Sequence, residues 1–175
     1  MHEEPLKFSK KERSQKMNAP NQLKKVGKLI LKNRPAIRTI HEIADLFNIP
    51  HAKVHEGVGF MYRGAVDLSP KVSVWWPKIE PLRPRSGWVN VPKYDSAQEL
   101  VEINERYSKS PKKNAEHIHN LKTLYPQRRI VFARFMGGKA YEYVGEFQFD
   151  AKRSANSAVW VMVSADCDLK DVAKE

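Results

Sequence analysis

The sequence predicts an α+β fold: an N-terminal three-helix unit, followed by a small, mainly antiparallel, barrel-like β domain carrying two accessory helices. Three observations predict it. Apolar residues recur at helical spacing before residue 60, they alternate with a period of two after residue 128, and Pro and Gly punctuate the stretch between. The expected divisions are a disordered basic arm at 1–21, a helical unit at 22–60 and an α+β domain at 61–175.

The arm holds Lys7, Lys10, Lys11, Arg13 and Lys16 and few apolar residues, too little to offset the entropy of ordering it. From Gln22, Leu23, Val26, Leu29 and Ile30 mark one face of a basic helix ending near Pro35, with Lys24, Lys25, Lys28 and Lys32 around the remainder. Thr39 and Glu42 form a capping-box pattern opening a second helix, whose apolar face is Ile40, Ile43, Ala44 and Phe47. Asn48 tolerates the left-handed conformation that ends it, and Pro50 is placed to open a short third helix from His51 to about Glu56.

In the middle, Val72, Val74 and Trp76 alternate with Ser73 and Trp75, predicting a strand that enters a Pro- and Arg-rich loop, 77–87. Trp88, Val89 and Val91 predict another. Ser96 and Glu99 repeat the capping-box spacing ahead of Leu100, Ile103 and Tyr107, which predicts a helix over 96–107. Ser110-Pro111 opens a further helix with Ile118, Leu121 and Leu124 on its apolar side. The last third reads as a meander: 129–135 is β-branched and aromatic, Gly137-Gly138 is a turn, 140–150 places Tyr141, Tyr143, Phe147 and Phe149 on one face, and 158–163 is apolar on both sides.

The chain has 175 residues with 31 Lys plus Arg against 20 Asp plus Glu, a formal net charge of +11. Residues 1–60 carry 12 basic and 6 acidic side chains, so more than half of the excess lies at that end. Such a balance points to a polyanionic partner. Nucleic acid is the expected partner, with duplex DNA favoured, and a protein partner or homodimer is left open. No apolar run reaches the length of a membrane span, so no membrane partner is expected and the cytoplasm is the expected location. The single Cys167 allows no internal disulfide and no Cys-rich zinc site; a buried thiol in a reducing compartment accounts for it.

The segment Glu42-Ile43-Ala44-Asp45-Leu46-Phe47-Asn48-Ile49-Pro50-His51-Ala52-Lys53-Val54 resembles the helix-turn-helix of DNA-binding regulators. Ala44 is the small residue where two helices approach, Asn48 stands at the turn, and Ile43, Phe47, Ile49 and Val54 are buried positions. The resemblance implies that His51, Lys53 and His55 face a groove while Lys24, Lys25 and Lys28 hold phosphates. Gly57 and Gly59 depart from it by cutting the recognition helix to about two turns.

The C-terminal segment, Phe132-Ala133-Arg134, Gly137-Gly138 and Tyr141 to Phe147, resembles the strand pair of PUA-like barrels, a group that includes modified-base-reading domains attached to restriction systems. Gly145 inside an aromatic strand predicts a bulge. Trp75, Trp76, Trp88, Tyr141 and Tyr143 are the candidate base-stacking aromatics, although alternate aromatics in strands more often build core; Arg83, Arg85 and Arg134 are candidates for phosphate.

Catalytic patterns are sparse. His117 and His119, two apart on a helix, point about 200° from each other and do not share a metal easily. Glu146, Asp150 and Lys152 resemble the carboxylates and lysine of divalent-metal nucleases, a degenerate pattern that a solvated strand face also explains. Phosphate-binding loops, nucleophile elbows and zincin motifs are missing. The sequence therefore favours a binding protein over an enzyme and predicts no cofactor or metal. A metal-dependent nuclease of a defence or mobile-element system and a protein-interaction module are the alternatives.

Overall fold

The computed structural model describes residues 19–55, 64–79 and 85–172. The basic arm up to residue 18, the glycines at 57 and 59, and Arg83 lie outside that set.

The first helix, α1 (Ala19–Val26), begins three residues inside the expected arm and ends earlier than the periodicity predicts. Gly27 ends it at φ +70° while its N–H closes onto the Leu23 carbonyl (2.8 Å), and the chain leaves as strand β1 (Lys28–Ile30). Leu29 is fully buried, but through a strand rather than a helical face. After a 3-10 turn and the two-residue strand β2 (Ala36–Ile37) comes α2 (Ile40–Leu46). Its capping box forms as expected: Glu42 N donates to Thr39 Oγ1 (3.2 Å), and Thr39 N donates to Glu42 Oε2 (2.9 Å). Asn48 takes φ +55° at the turn. The expected third helix is only a four-residue 3-10 turn, His51–Val54, after which His55 returns to extended backbone. That length cannot build a recognition helix from the described residues.

The middle carries β3 (Ala65–Asp67), β4 (Val72–Trp75), β5 (Lys78–Ile79), β6 (Trp88–Tyr94) and β7 (Leu100–Tyr107). β7 corrects the helix expected over 96–107. Asp95 Oδ1 accepts from the N–H groups of Ala97 and Glu99 (both 2.9 Å) and Gln98 sits at φ +61°, so the polar stretch is a hairpin turn rather than a helix start. β7 then lies between β6 and the later β10, with cations from elsewhere in the fold meeting its two buried glutamates. No local pattern shows those partners. Helix α3 (Pro111–Thr123) forms where predicted, capped by Ser110 Oγ with Pro111 at its first position, but Leu124, expected on its apolar side, lies past its end and is exposed. The strands β8 (Arg128–Phe135), β9 (Tyr141–Phe149) and β10 (Ala158–Ser164) match the expected meander, and β11 (Asp166–Asp168) and the short α4 (Leu169–Val172) end the described chain.

The main sheet runs β3-β4-β8-β9-β10-β7-β6, with β2 added to β9 and β5 to β8; β1 and β11 form a separate pair. Pairing is antiparallel except where β4 and β5 run parallel to β8, so the sheet is mixed. No backbone ladder among the described residues closes it into a barrel. One side-chain bond, Asn90 Nδ2 to the Lys78 carbonyl (3.1 Å), ties β6 to β5.

Both faces are covered. On the first, Leu29, Ile43, Val54, Ile130, Phe132 and Tyr143 belong to one apolar cluster uniting α2, β1 and the sheet. On the second, α3 lays Ile118 and Leu121 against Trp75, Val131, Phe147 and Trp160. Gly145, at φ +112°, marks the change between them. A Cβ there would meet the Ser164 carbonyl at 2.9 Å, and the β8–β9 register shifts beside it. Tyr141 and Tyr143 therefore face the first core while Phe147 and Phe149 face the second, which corrects the single aromatic face expected for this strand.

Candidate nucleic-acid interface

The turn after α2 gathers most of the N-terminal residues singled out by sequence. Lys24 Nζ donates to Asn48 Oδ1 (3.1 Å), tying α1 to the turn. His51 Nε2 lies 2.6 Å from Asp45 Oδ1, and its ring stacks on His41 with centroids 4.4 Å apart. His41 and His55 meet through their Nε2 atoms at 3.2 Å, so one ring donates and the other accepts. Lys53, in the same 3-10 turn as His51, is exposed, as is Lys25 on α1. Buried apolar residues anchor the arrangement: Ala44, Ile49 and Val54 pack inward and leave the polar side chains towards the outside. Lys28 is turned elsewhere, into a recess of about 610 Å³ lined also by Arg128, Glu146, Asp166, Asp168 and Asp171. Carboxylates locally offset its charge there.

The second core contains a buried polar centre that sequence reasoning missed. Glu105, on β7, receives Arg129 Nη1 and Trp160 Nε1, each at 3.1 Å, and lies 3.1 Å from His117 Nε2. The Arg129 guanidinium stacks on Trp160 (3.9 Å to the ring centroid) and Trp75 (4.6 Å). Burial alone would raise the Glu105 carboxyl. Arg129, His117 and Trp160 outweigh it and hold that carboxyl at about 2. Burial likewise pulls Arg129 below its usual value, against the pull of Glu105. A Glu predicted on a helix face and an Arg at the start of a strand give no sequence signal of pairing across 24 positions. His117, which the sequence set aside as a metal ligand in favour of a solvated or partly buried helical histidine, is part-buried and fixed here by Glu105.

The remaining expected residues scatter. Trp75, Tyr141 and Tyr143 are buried, at 3%, 5% and 1% exposure, and offer no ring face to solvent. Burial pushes the Tyr143 hydroxyl well above its usual range. Trp76 is buried too, whereas Trp88 is 36% exposed at the start of β6, beside the exposed Arg85. Arg134 Nε donates to the Gly138 carbonyl (3.0 Å), bracing the β8–β9 hairpin. Glu146 faces Arg128 at 3.7 Å, while Asp150 holds its own turn by accepting from the N–H groups of Lys152 and Arg153 (both 3.1 Å). The two carboxylates thus have different partners. Among the described residues no three His, Cys, Asp or Glu side chains are arranged to hold a metal ion, and no helix is long and apolar enough to cross a membrane. Cys167 is buried, which pushes its thiol far up.

Comparison with known proteins bears on the whole fold. The model of the family described as "SRA: SET and RING associated domain" matches residues 22–169, which takes in the N-terminal helices and both faces of the sheet. No curated protein matches the sequence. Among solved structures, the fold is shared with "The 5-Hydroxymethylcytosine-Specific Restriction Enzyme AbaSI", at a TM-score of 0.62 and 19% identity over 93% of this chain. The match covers 48% of that chain, about half of its length. This likeness overturns the sequence-based preference for a non-enzyme: the architecture is one that a restriction enzyme carries.

Proposed function

Because this chain belongs to the SET and RING associated domain family, we propose that it binds DNA and recognises a modified base in the duplex as part of a restriction nuclease system. The observation that carries the reading is the family match over 22–169, a span that includes nearly every described element. Two others support it. The fold is shared with an enzyme whose name specifies 5-hydroxymethylcytosine, and the net charge of +11 suits a polyanion.

In this reading Lys24 and Lys25 of α1, the exposed His51 and Lys53 and the half-buried His55 take phosphates and set the register on the duplex, as does Arg134 at the β8–β9 hairpin. A modification on a base inside the stack is read by extruding that base, which a bound and oriented duplex makes affordable. The likeness of residues 132–147 to modified-base-reading barrels points the same way.

Hydrolysis is the other half of a restriction reaction. A second reading places it on this chain, with Glu146, Asp150 and Lys152 as the acidic and basic groups around a divalent cation. It is favoured by the shared fold with a restriction enzyme. It requires Asp150 to leave the turn it now holds.

One experiment addresses both. Duplexes that differ only in carrying cytosine, 5-methylcytosine or 5-hydroxymethylcytosine at one position are titrated with the protein at several salt concentrations, with and without Mg²⁺ or Mn²⁺. We expect tighter binding to one modified duplex and a log–log salt slope near −5 for ~6 phosphate contacts. Equal affinity for all three duplexes overturns base recognition. Cutting that survives Asp150→Ala removes Glu146, Asp150 and Lys152 as the hydrolytic set.

A further inference from the structure

We propose that Trp88 and the cationic start of α3 form a contact site for unpaired nucleotides, separate from the turn after α2. The proposal rests on the reading of the chain as a DNA binder and names a second class of substrate for it, single-stranded nucleic acid.

The site is built in a fixed shape. Gly87 precedes Trp88 at φ +86°, and a Cβ on it would lie 2.7 Å from Tyr107 Cε2 and 3.0 Å from Lys109 Cδ. Only glycine lets the loop come this close to β7. Ser108 fixes the approach, its N–H (2.7 Å) and its hydroxyl (2.8 Å) both donating to the Gly87 carbonyl, and Lys109 Nζ donates to the Arg85 carbonyl. Trp88 is held edge-to-face by Tyr107 (centroids 5.2 Å apart) and His117 (4.6 Å). His117 is itself fixed by the buried Glu105. A tryptophan held this firmly, with 36% of its surface in water, loses little freedom when a ring stacks on it.

Its surroundings are cationic. Lys113 Nζ stands 5.5 Å from the Tyr107 ring centroid, and Arg85, Lys109 and Lys112 are exposed, with Glu116 the nearby carboxylate on the helix. Lys112 and Lys113 occupy the first turn of α3, which carries no acidic residue. Cations there oppose the helix dipole and weaken the helix, an arrangement that a bound anion reverses. Phosphates beside an exposed aromatic ring are the requirements of a nucleotide strand. The base must be unpaired, because in a duplex interior both of its faces are already stacked.

Tryptophan fluorescence isolates the site. Of the four tryptophans, Trp75, Trp76 and Trp160 are at most 4% exposed, so acrylamide reports chiefly on Trp88. We titrate the full chain at low salt with an oligothymidylate of about twelve nucleotides, within the span that single-strand sites cover. The expected result is quenching of the emission, protection of Trp88 from acrylamide, and a roughly tenfold loss of affinity in Trp88→Ala. Trp88→Phe, which keeps an aromatic ring, retains most of the affinity and excludes misfolding as the cause. Gly87→Ala weakens binding by displacing the loop. Lys112→Glu with Lys113→Glu flattens the log–log salt slope by about 1.4. Failure of the oligonucleotide to bind, binding without any change at Trp88, or a Trp88→Ala affinity within twofold of the unaltered chain each overturns the proposal. Discrimination between modified and plain duplexes by the unaltered chain is a separate measurement, so either reading can fail alone.

Discussion

The two faces of the sheet are stabilised by different physics. The first is closed by α2, β1 and the 3-10 turn, with Leu29, Ile37, Ile43 and Val54 at 1% exposure or less and a mainly apolar interior that also takes in the Tyr143 ring and Cys167. The second, under α3, is built around an ion pair, Glu105 with Arg129, lodged among Trp75, Trp160 and His117. An apolar face tolerates a lost methyl group, since neighbouring side chains relax into part of the space. A buried ion pair tolerates almost no change to one partner, because the other is left charged and dry. The polar centre also reaches the surface, through His117 to Trp88.

The largest expected effect follows from that contrast. Glu105→Gln keeps the shape but removes the charge facing Arg129, and should cost about 3–5 kcal/mol in denaturant unfolding. Replacing both partners with apolar residues of similar volume should recover most of that loss. Recovery only by restoring charge would show that the ion pair itself stabilises the face. The sign of the pH dependence is set as well. The folded carboxyl, near 2, lies below the ordinary value of 4.5, so its contribution is complete above about pH 4.5 and is lost as the pH falls towards 2. The Glu105→Gln variant should lose stability less steeply across that window.

A smaller effect is expected where the faces exchange. Gly145→Ala places a Cβ 2.9 Å from the Ser164 carbonyl at φ +112° and should cost about 2 kcal/mol. A neutral result would mean that β9 can change faces without this backbone conformation. The smallest belongs to the apolar face: Ile43→Val should cost about 1 kcal/mol. If Ile43→Val and Glu105→Gln proved equally costly, the distinction between the faces would fail.

The features legible in the sequence are those that neighbouring residues determine. Thr39 with Glu42, Asn48, Ser110 with Pro111, and the apolar run at 158–163 act within a few positions of themselves, and each forms what its pattern predicts. Residues 96–107 misled because Ser96-x-x-Glu99 and Leu100, Ile103 and Tyr107 satisfy a helix template equally well. Strand β7 is chosen only once β6 and β10 flank it. The candidate site follows the same division. Charged residues near His51 could be named one by one, whereas the exposure of Trp88 and the burial of Trp75, Tyr141 and Tyr143 depend on which surfaces meet.

The sequence by itself determined the charge and its concentration before residue 60, the starts of α2 and α3 and the three C-terminal strands, because propensity, capping and charge are properties of adjacent residues. Tertiary structure decided that Leu29 is buried from a strand, that Gly145 divides β9 between two cores, and that Glu105 meets Arg129 beneath α3. The Glu105 centre is set by atoms brought together from positions 12 to 55 residues apart, and such proximity leaves no trace in a local pattern.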